Sequence, residues 1–345
     1  MVWDPGTATG LGPFPGVDPL EAARIVFSEL PAPAVPFLPE LPARGVGADP
    51  VGRTAGLLAD LHVEVGVGVW RFVTRPGRDE QRAHAALTTD LDAIEEAAAG
   101  YEGSGKIRIV GPWTLAASIE LPKGERALAD EGAVRDITGS LAEGLTRHLG
   151  DLRRRLPGLR RLVLQVDEPL LGAVLAGELA TASGWGRLRG YERAVVEDGL
   201  RQVLAVAPVA PADGAAGDLA GVWIGAGPLD GALLRAAGAR FVGIDGAVLD
   251  SVDEDEIGEA IDAGVGLLVA CVPLDPDQSD PRPVMGPVRS LWKRLGFLIE
   301  QLPGTVAVAP VEGLENLDRG AVPAVLRRAV EAARYLEESA AEEES

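Results

Sequence analysis

The alternation of strand and helix patterns constrains the fold of this chain more than any other feature of its sequence. From Lys106 onward, short apolar runs alternate with amphipathic stretches, and Gly or Pro stands at the joints. This pattern predicts parallel strands joined by crossover helices. With two earlier runs included, about eight strand–helix units are expected, as in a (β/α)8 barrel. Their strands lie near Leu11, Ala34, Ile107, Leu162, Val222, Phe241, Leu267 and Val306. An open doubly wound sheet is the alternative, although no G-x-G-x-x-G follows the first strand.

The stretch 161–171, RLVLQVDEPLL, is the most informative of these units. It reads as a buried strand that ends in Asp167 and Glu168, and Pro169 prevents its continuation. Acids at the C-terminal end of a parallel strand lie where barrels keep their chemistry. The other interpretation is that Asp167 or Glu168 only caps the next helix.

Residues at the C-terminal ends of the strands are expected to face one shared pocket. The acids Glu40, Asp167, Asp245 and Glu312 all fall at such positions. Four carboxylates that converge without basic partners should have raised pKa values or hold a cation. That cation could be a metal or a ligand amine, or two of the acids could instead cap helices. The strand-end candidates are Gly12, Pro13, Glu40, Gly111, Trp113, Asp167, Glu168, Trp223, Asp245, Cys271 and Glu312.

Length and charge set the domain organisation that we expect. The 345 residues suit a single barrel domain over residues 1–336, followed by an acidic disordered tail over residues 337–345. The net charge of −20 argues against a nucleic-acid partner. No apolar run is long enough to span a membrane, and no signal peptide is recognisable. The single Cys271 fits a reducing compartment, so we expect a cytoplasmic protein.

Several motifs, taken in order, resemble the catalytic barrel of the cobalamin-independent methionine synthase family. They are GLGPFP at 10–15, GPWTL at 111–115, QVDEPLL at 165–171, GID at 243–245 and PVEGL at 310–314. The resemblance implies a (β/α)8 barrel of the type shared with uroporphyrinogen decarboxylase. It also implies methyl transfer from a methylated folate to the thiol of homocysteine, with a zinc ion that deprotonates this thiol.

The resemblance also implies how an amino acid such as homocysteine or methionine binds. Asp167 matches the acid that holds the amino group, and Glu40 matches a second acid for the same amino acid. Leu11, Gly12 and Pro13 match the turn that binds the carboxylate. Here Pro13 replaces a serine of the family, and proline offers neither a hydroxyl nor a backbone N–H.

The implied zinc site is the largest departure from the family. The family ligands are a His and a Cys on the fifth strand, a Glu on the sixth and a Cys in the final turn. Two carboxylates without imidazole or thiolate make a poor zinc site, so we expect no zinc and no other cofactor. The residues at the ligand positions are Trp223, Gly225 (or Ile224), Asp245 and Glu312.

Three functions stay open at this point. The first is methionine synthase-like methyl transfer with a changed or absent zinc, in which Asp167, Asp245 and Glu312 are the catalytic candidates. The second is a degenerate barrel that binds an amino acid or a partner without methyl transfer. In both of these hypotheses the strand-end residues line the binding pocket, including Gly111, Trp113, Glu168 and Trp223. The third is a decarboxylase of the uroporphyrinogen type, which is disfavoured because an acidic mouth repels a polycarboxylate.

Overall fold

A central parallel sheet organises the fold. The computed structural model describes residues 1–207, 217–275 and 280–344. Six strands of the sheet are hydrogen-bonded in the order β3-β5-β6-β7-β8-β9, and every pair is parallel. The strands are β3 (Gly103–Val110), β5 (Leu159–Asp167), β6 (Leu219–Gly225), β7 (Phe241–Asp245), β8 (Gly266–Val272) and β9 (Val306–Pro310).

Two short extended segments close this sheet into a barrel, and we call them the seam segments, residues 7–9 and 34–38. Ala8 pairs in parallel with Val308 of β9, and Phe37 pairs in parallel with Lys106 of β3. The segments join each other because the N–H of Val35 donates to the Ala8 carbonyl at 2.8 Å. Six strands and two seam segments form a closed parallel ring, which confirms the predicted (β/α)8 architecture.

A small second sheet lies outside the barrel. Strands β1 (His62–Val65) and β2 (Trp70–Val73) form an antiparallel hairpin, and β4 (Ile119–Glu120) pairs with β2. This hairpin precedes β3 in the chain.

Helices follow the barrel strands as the sequence pattern predicts. Asp18, for example, starts the first helix by accepting hydrogen bonds from the N–H groups of Leu20 and Glu21. The helices are α1 (Pro19–Glu29), α2 (Pro50–Ala55), α3 (Arg78–Ala97), α4 (Pro112–Ser118), α5 (Glu131–Arg155), α6 (Leu171–Ala176), α7 (Arg193–Leu204), α8 (Gly231–Ala236), α9 (Glu254–Asp262), α10 (Pro281–Leu295), α11 (Leu302–Thr305) and α12 (Val322–Glu344). Short 3-10 turns lie at Pro42–Arg44, Ala127–Ala129, Gly246–Val248 and Ile299–Gln301.

The core has two layers because successive side chains of a strand point to opposite faces. On β5, Leu162, Leu164 and Val166 belong to the large cluster between the sheet and the helices. Val163 instead belongs to a smaller cluster that also includes Phe241 of β7. Both faces of the sheet are therefore buried, which explains the continuous apolar runs in the sequence.

The C-terminal segment differs from the expected disordered tail. Helix α12 runs from Val322 to Glu344 without a break. Ser339 and Ala340 are buried, so this segment has an apolar side that packs on the domain despite its acidic composition. None of the helices in the described ranges is long and apolar enough to cross a membrane.

Candidate functional site

The guanidinium of Arg108 lies between two buried carboxylates at the C-terminal end of the barrel. Its Nη1 donates to Glu40 Oε2 at 2.9 Å, and its Nε donates to Asp167. Glu40 and Asp167 are 4% and 5% exposed, so bulk water solvates neither carboxylate and Arg108 supplies their counter-charge. We call this group of Arg108, Asp167 and Glu40 the mouth triad.

A second basic residue lies one layer deeper in the barrel. Lys106 precedes Arg108 by two residues on β3 and therefore points to the same face. Its Nζ donates to the Gly10 carbonyl and, at 2.6 Å, to Gln165 Oε1. Gln165 Nε2 in turn donates to Asp167 Oδ1 at 2.7 Å. A continuous chain of hydrogen bonds thus joins Lys106 to the mouth triad.

Burial and charge act in opposite directions on these groups. Burial raises the pKa of Glu40 more than Arg108 lowers it. Burial also lowers the pKa of Lys106 to about 7. For Arg108, burial alone would lower the pKa, but Asp167, Glu40 and Glu315 together raise it, so this guanidinium stays charged.

The turn at residues 11–13 packs directly against Arg108. Gly12 has a φ of 121°, which favours glycine, and a Cβ there would lie 2.9 Å from Arg108 Cδ. Pro13 forms a bridge with Glu40, whose N–H donates to the Gly12 carbonyl at 2.9 Å. Leu11 is buried in the smaller hydrophobic cluster, which also contains Val163 and Phe241. The turn and Glu40 are therefore neighbours of one guanidinium.

Glu168 is used inside the protein to hold the start of helix α4. Its carboxylate accepts hydrogen bonds from the N–H groups of Trp113 and Thr114, at 2.9 and 2.7 Å, and from the Thr114 hydroxyl. A Cβ on Gly111 would overlap this carboxylate, so glycine is required there. Burial raises the pKa of Glu168 to about 7. Glu168 is thus a helix cap, although it caps α4 and not the helix that follows its own strand.

The remaining strand-end candidates lie at the ends of β6 to β9. Trp223 packs over Gly243, where a Cβ would clash with the indole ring. Asp245 accepts a hydrogen bond from the Ala247 N–H at 2.8 Å and so caps a 3-10 turn. Asp245, Cys271 and Glu312 line an open cleft of about 550 Å³. Burial raises the pKa of the Cys271 thiol to about 12, so the thiol is protonated.

The residues at the implied zinc positions do not fit zinc. The indole of Trp223 has no lone pair for a metal, Gly225 has no side chain, and Asp245 and Glu312 offer only carboxylate oxygens. In residues 1–207, 217–275 and 280–344, no group of three or more His, Cys, Asp or Glu side chains is arranged to hold a metal ion.

Lys106, Arg108, Gln165 and Glu315 are functional candidates that the sequence reasoning missed. The expectation of acids without basic partners does not describe the mouth, because Arg108 pairs with two of them. A signal for Lys106 and Arg108 exists in KIRIV, where basic residues occupy alternate positions of a strand with two buried faces. Such charges point into the barrel.

Known proteins offer little that is similar to this chain in sequence. No protein-family model matches the sequence, and no curated protein matches it. Among solved structures, the chain is similar to a B12-independent methionine synthase from Shewanella sp. W3-18-1 in complex with selenomethionine. The two are 12% identical, the match covers 72% of this chain and 67% of that chain, and the TM-score is 0.48. A likeness of this size concerns the arrangement of secondary structure alone.

Proposed function

We propose that this chain is a divergent barrel of the methionine synthase type that binds a small amino acid at its mouth without zinc-dependent methyl transfer. The observation that carries the proposal is the buried chain of charges from Lys106 to Glu40. Burying ion pairs is costly and seldom adds stability over an apolar core. Buried charged groups with perturbed pKa values at the C-terminal end of a barrel favour a binding role.

The motifs around this site support an amino acid as the ligand class. Asp167 and the turn 11–13 match the positions to which the family resemblance assigns amino-acid binding. Asp245 and Glu312 line the neighbouring cleft and make this face acidic. The ligand class therefore includes methionine and homocysteine.

The donor set argues against methyl transfer. A thiol with a pKa of about 8.5 is mostly protonated at neutral pH, and the thiolate is the nucleophile. Without nitrogen or sulfur ligands for zinc, nothing at Trp223, Asp245 and Glu312 lowers that pKa. Homocysteine bound here would stay a poor methyl acceptor.

Two measurements on the purified chain test the proposal. Isothermal titration calorimetry should detect binding of methionine or homocysteine, and Asp167→Asn should weaken it because the variant loosens Arg108. Elemental analysis should find far less than one zinc per chain, and methyl transfer from methyltetrahydrofolate to homocysteine should be undetectable. Absence of any amino-acid binding refutes the binding role. One zinc per chain, lost together with methyl transfer in Glu312→Ala, would restore the methionine synthase assignment.

A further inference from the structure

Glu315 has a buried carboxylate oxygen that the fold leaves without a partner. Its Oε2 atom is buried and accepts no hydrogen bond from any described residue. A buried acceptor without a donor costs free energy, so such an atom calls for an explanation. Glu312, on the same turn, has an exposed side chain and needs none.

Glu315 lies beside the turn that packs on Arg108. A Cβ on Gly313 would meet both Glu315 Oε2 and, at 2.8 Å, Pro13 Cβ. The N–H of Leu314 donates to the Pro13 carbonyl at 2.9 Å, which fixes the two turns together. Glu315 is also close enough to Arg108 to raise its pKa. The carboxylate therefore lies next to the mouth triad.

The guanidinium of Arg108 has N–H groups that do not donate to Asp167 or Glu40. A guanidinium carries five N–H groups. Two of its nitrogens, Nε and Nη1, donate to Asp167 and Glu40, whereas Nη2 has no hydrogen-bond partner among the described residues. The Arg108 side chain is 14% exposed, so part of it contacts solvent.

These two groups are complementary to the two ends of a zwitterion. We propose that the mouth binds an α-amino acid with its carboxylate on the guanidinium of Arg108 and its ammonium on the carboxylate of Glu315. This inference rests on the proposed amino-acid binding and adds its polarity and a new ligand-binding residue. Asp167 and Glu40 then act as positioning residues, because they hold Arg108 in place.

Charge balance excludes simpler ligands. An amine without a carboxylate would meet repulsion from Arg108 and leave its Nη2 unused. A carboxylate without an amine would satisfy Arg108 but leave Glu315 Oε2 without a donor. A molecule that carries both groups, such as an α-amino acid, satisfies the guanidinium and the acid together.

The test compares methionine with two analogues, one lacking the amino group and one lacking the carboxylate, by isothermal titration calorimetry. Wild type should bind methionine about 10–100-fold more tightly than either analogue, since each lacks one charge-assisted hydrogen bond. Glu315→Gln should weaken methionine about 10–100-fold and leave the analogue without an amino group unchanged. Glu331→Gln, which changes an exposed carboxylate on α12 away from the mouth, is the control and should change neither affinity.

Arg108→Lys completes the design. It keeps a positive charge for Asp167 and Glu40 but loses the planar guanidinium that can donate two parallel hydrogen bonds to a carboxylate. It should weaken both carboxylate-bearing compounds. If Glu315→Gln does not fold, Glu315→Asp keeps the charge and shortens its reach, and the comparison of analogues on wild type needs no variant. If Glu315→Gln binds methionine as tightly as Glu331→Gln does, the proposed polarity is wrong, but the proposed function still stands. If wild type binds none of the three compounds, both fail.

Discussion

At the scale of single residues, Arg108 is the side chain on which the mouth depends. Replacement by Met keeps much of its length but leaves Glu40 and Asp167 buried without a counter-charge. Removing one partner of a buried ion pair costs about 3–5 kcal/mol. We expect a loss of this size in the free energy of unfolding of Arg108→Met, measured by urea denaturation.

Arg24→Met is the control for this comparison. Arg24 and Glu96 form an ion pair whose side chains are 63% and 60% exposed. Exposed pairs contribute about 0–1 kcal/mol, so this variant should unfold almost as wild type does. Equal losses in the two variants would contradict the role assigned to Arg108.

At the scale of elements, Glu168 links the end of β5 to the start of α4 and makes stability depend on pH. Its pKa is about 7 in the folded chain, above the ordinary value of 4.5. The native state therefore holds a proton between these values that the unfolded chain has released. The contribution of Glu168 to the free energy of unfolding is complete below pH 4.5 and is lost as the pH rises through about 7.

The corresponding variant is Glu168→Gln, which cannot titrate. The free energy of unfolding of wild type should fall relative to this variant between pH 4.5 and 7, by about 3 kcal/mol in all. Urea denaturation at a series of pH values measures the difference. A constant difference across this range would mean that the carboxyl group does not titrate there.

Lys106 should act in the alkaline range. Burial lowers its pKa from 10.5 to about 7, so the folded chain binds fewer protons than the unfolded chain between these values. Stability should therefore rise with pH from about 7 to 10.5, and Lys106→Met should remove this rise. The same denaturation series, extended to alkaline pH, checks this expectation. A rise that persists in Lys106→Met would assign it to another group.

At the scale of the whole molecule, the last turns of α12 belong to the folded domain. Ser339 and Ala340 are buried, and Glu337 lies beside Gly6 near the start of the chain. A chain that ends at Leu336 should lose about 1–2 kcal/mol of stability and unfold at a lower temperature. Removal of residues 343–345 alone is the control and should have little effect. If residues 337–345 were disordered, neither truncation would change the stability of the domain.

The sequence predicts the barrel more fully than it predicts the mouth. Apolar runs such as 162–166 show a strand with two buried faces, and their repetition defines the architecture. The partner of a charged side chain depends on contacts between distant segments. Arg108 meets Glu40 only because a seam segment pairs with β3, and nothing local to either residue indicates that pairing. The unpartnered Glu315 depends on the turn at Pro13 in the same way.

The seam segments also have a consequence for motion. They join the ring through isolated bridges, whereas β5 to β8 are joined by full ladders. Opening of the ring should begin where the fewest hydrogen bonds must break. The amides of Thr9, Val35 and Leu38 should therefore exchange with deuterium sooner than those of β5 to β8. The ion pair between Arg108 and Glu40 joins the two sides of this junction. A ligand that binds Arg108 should therefore change the deuterium exchange rates of the seam amides, and this change reports ligand binding.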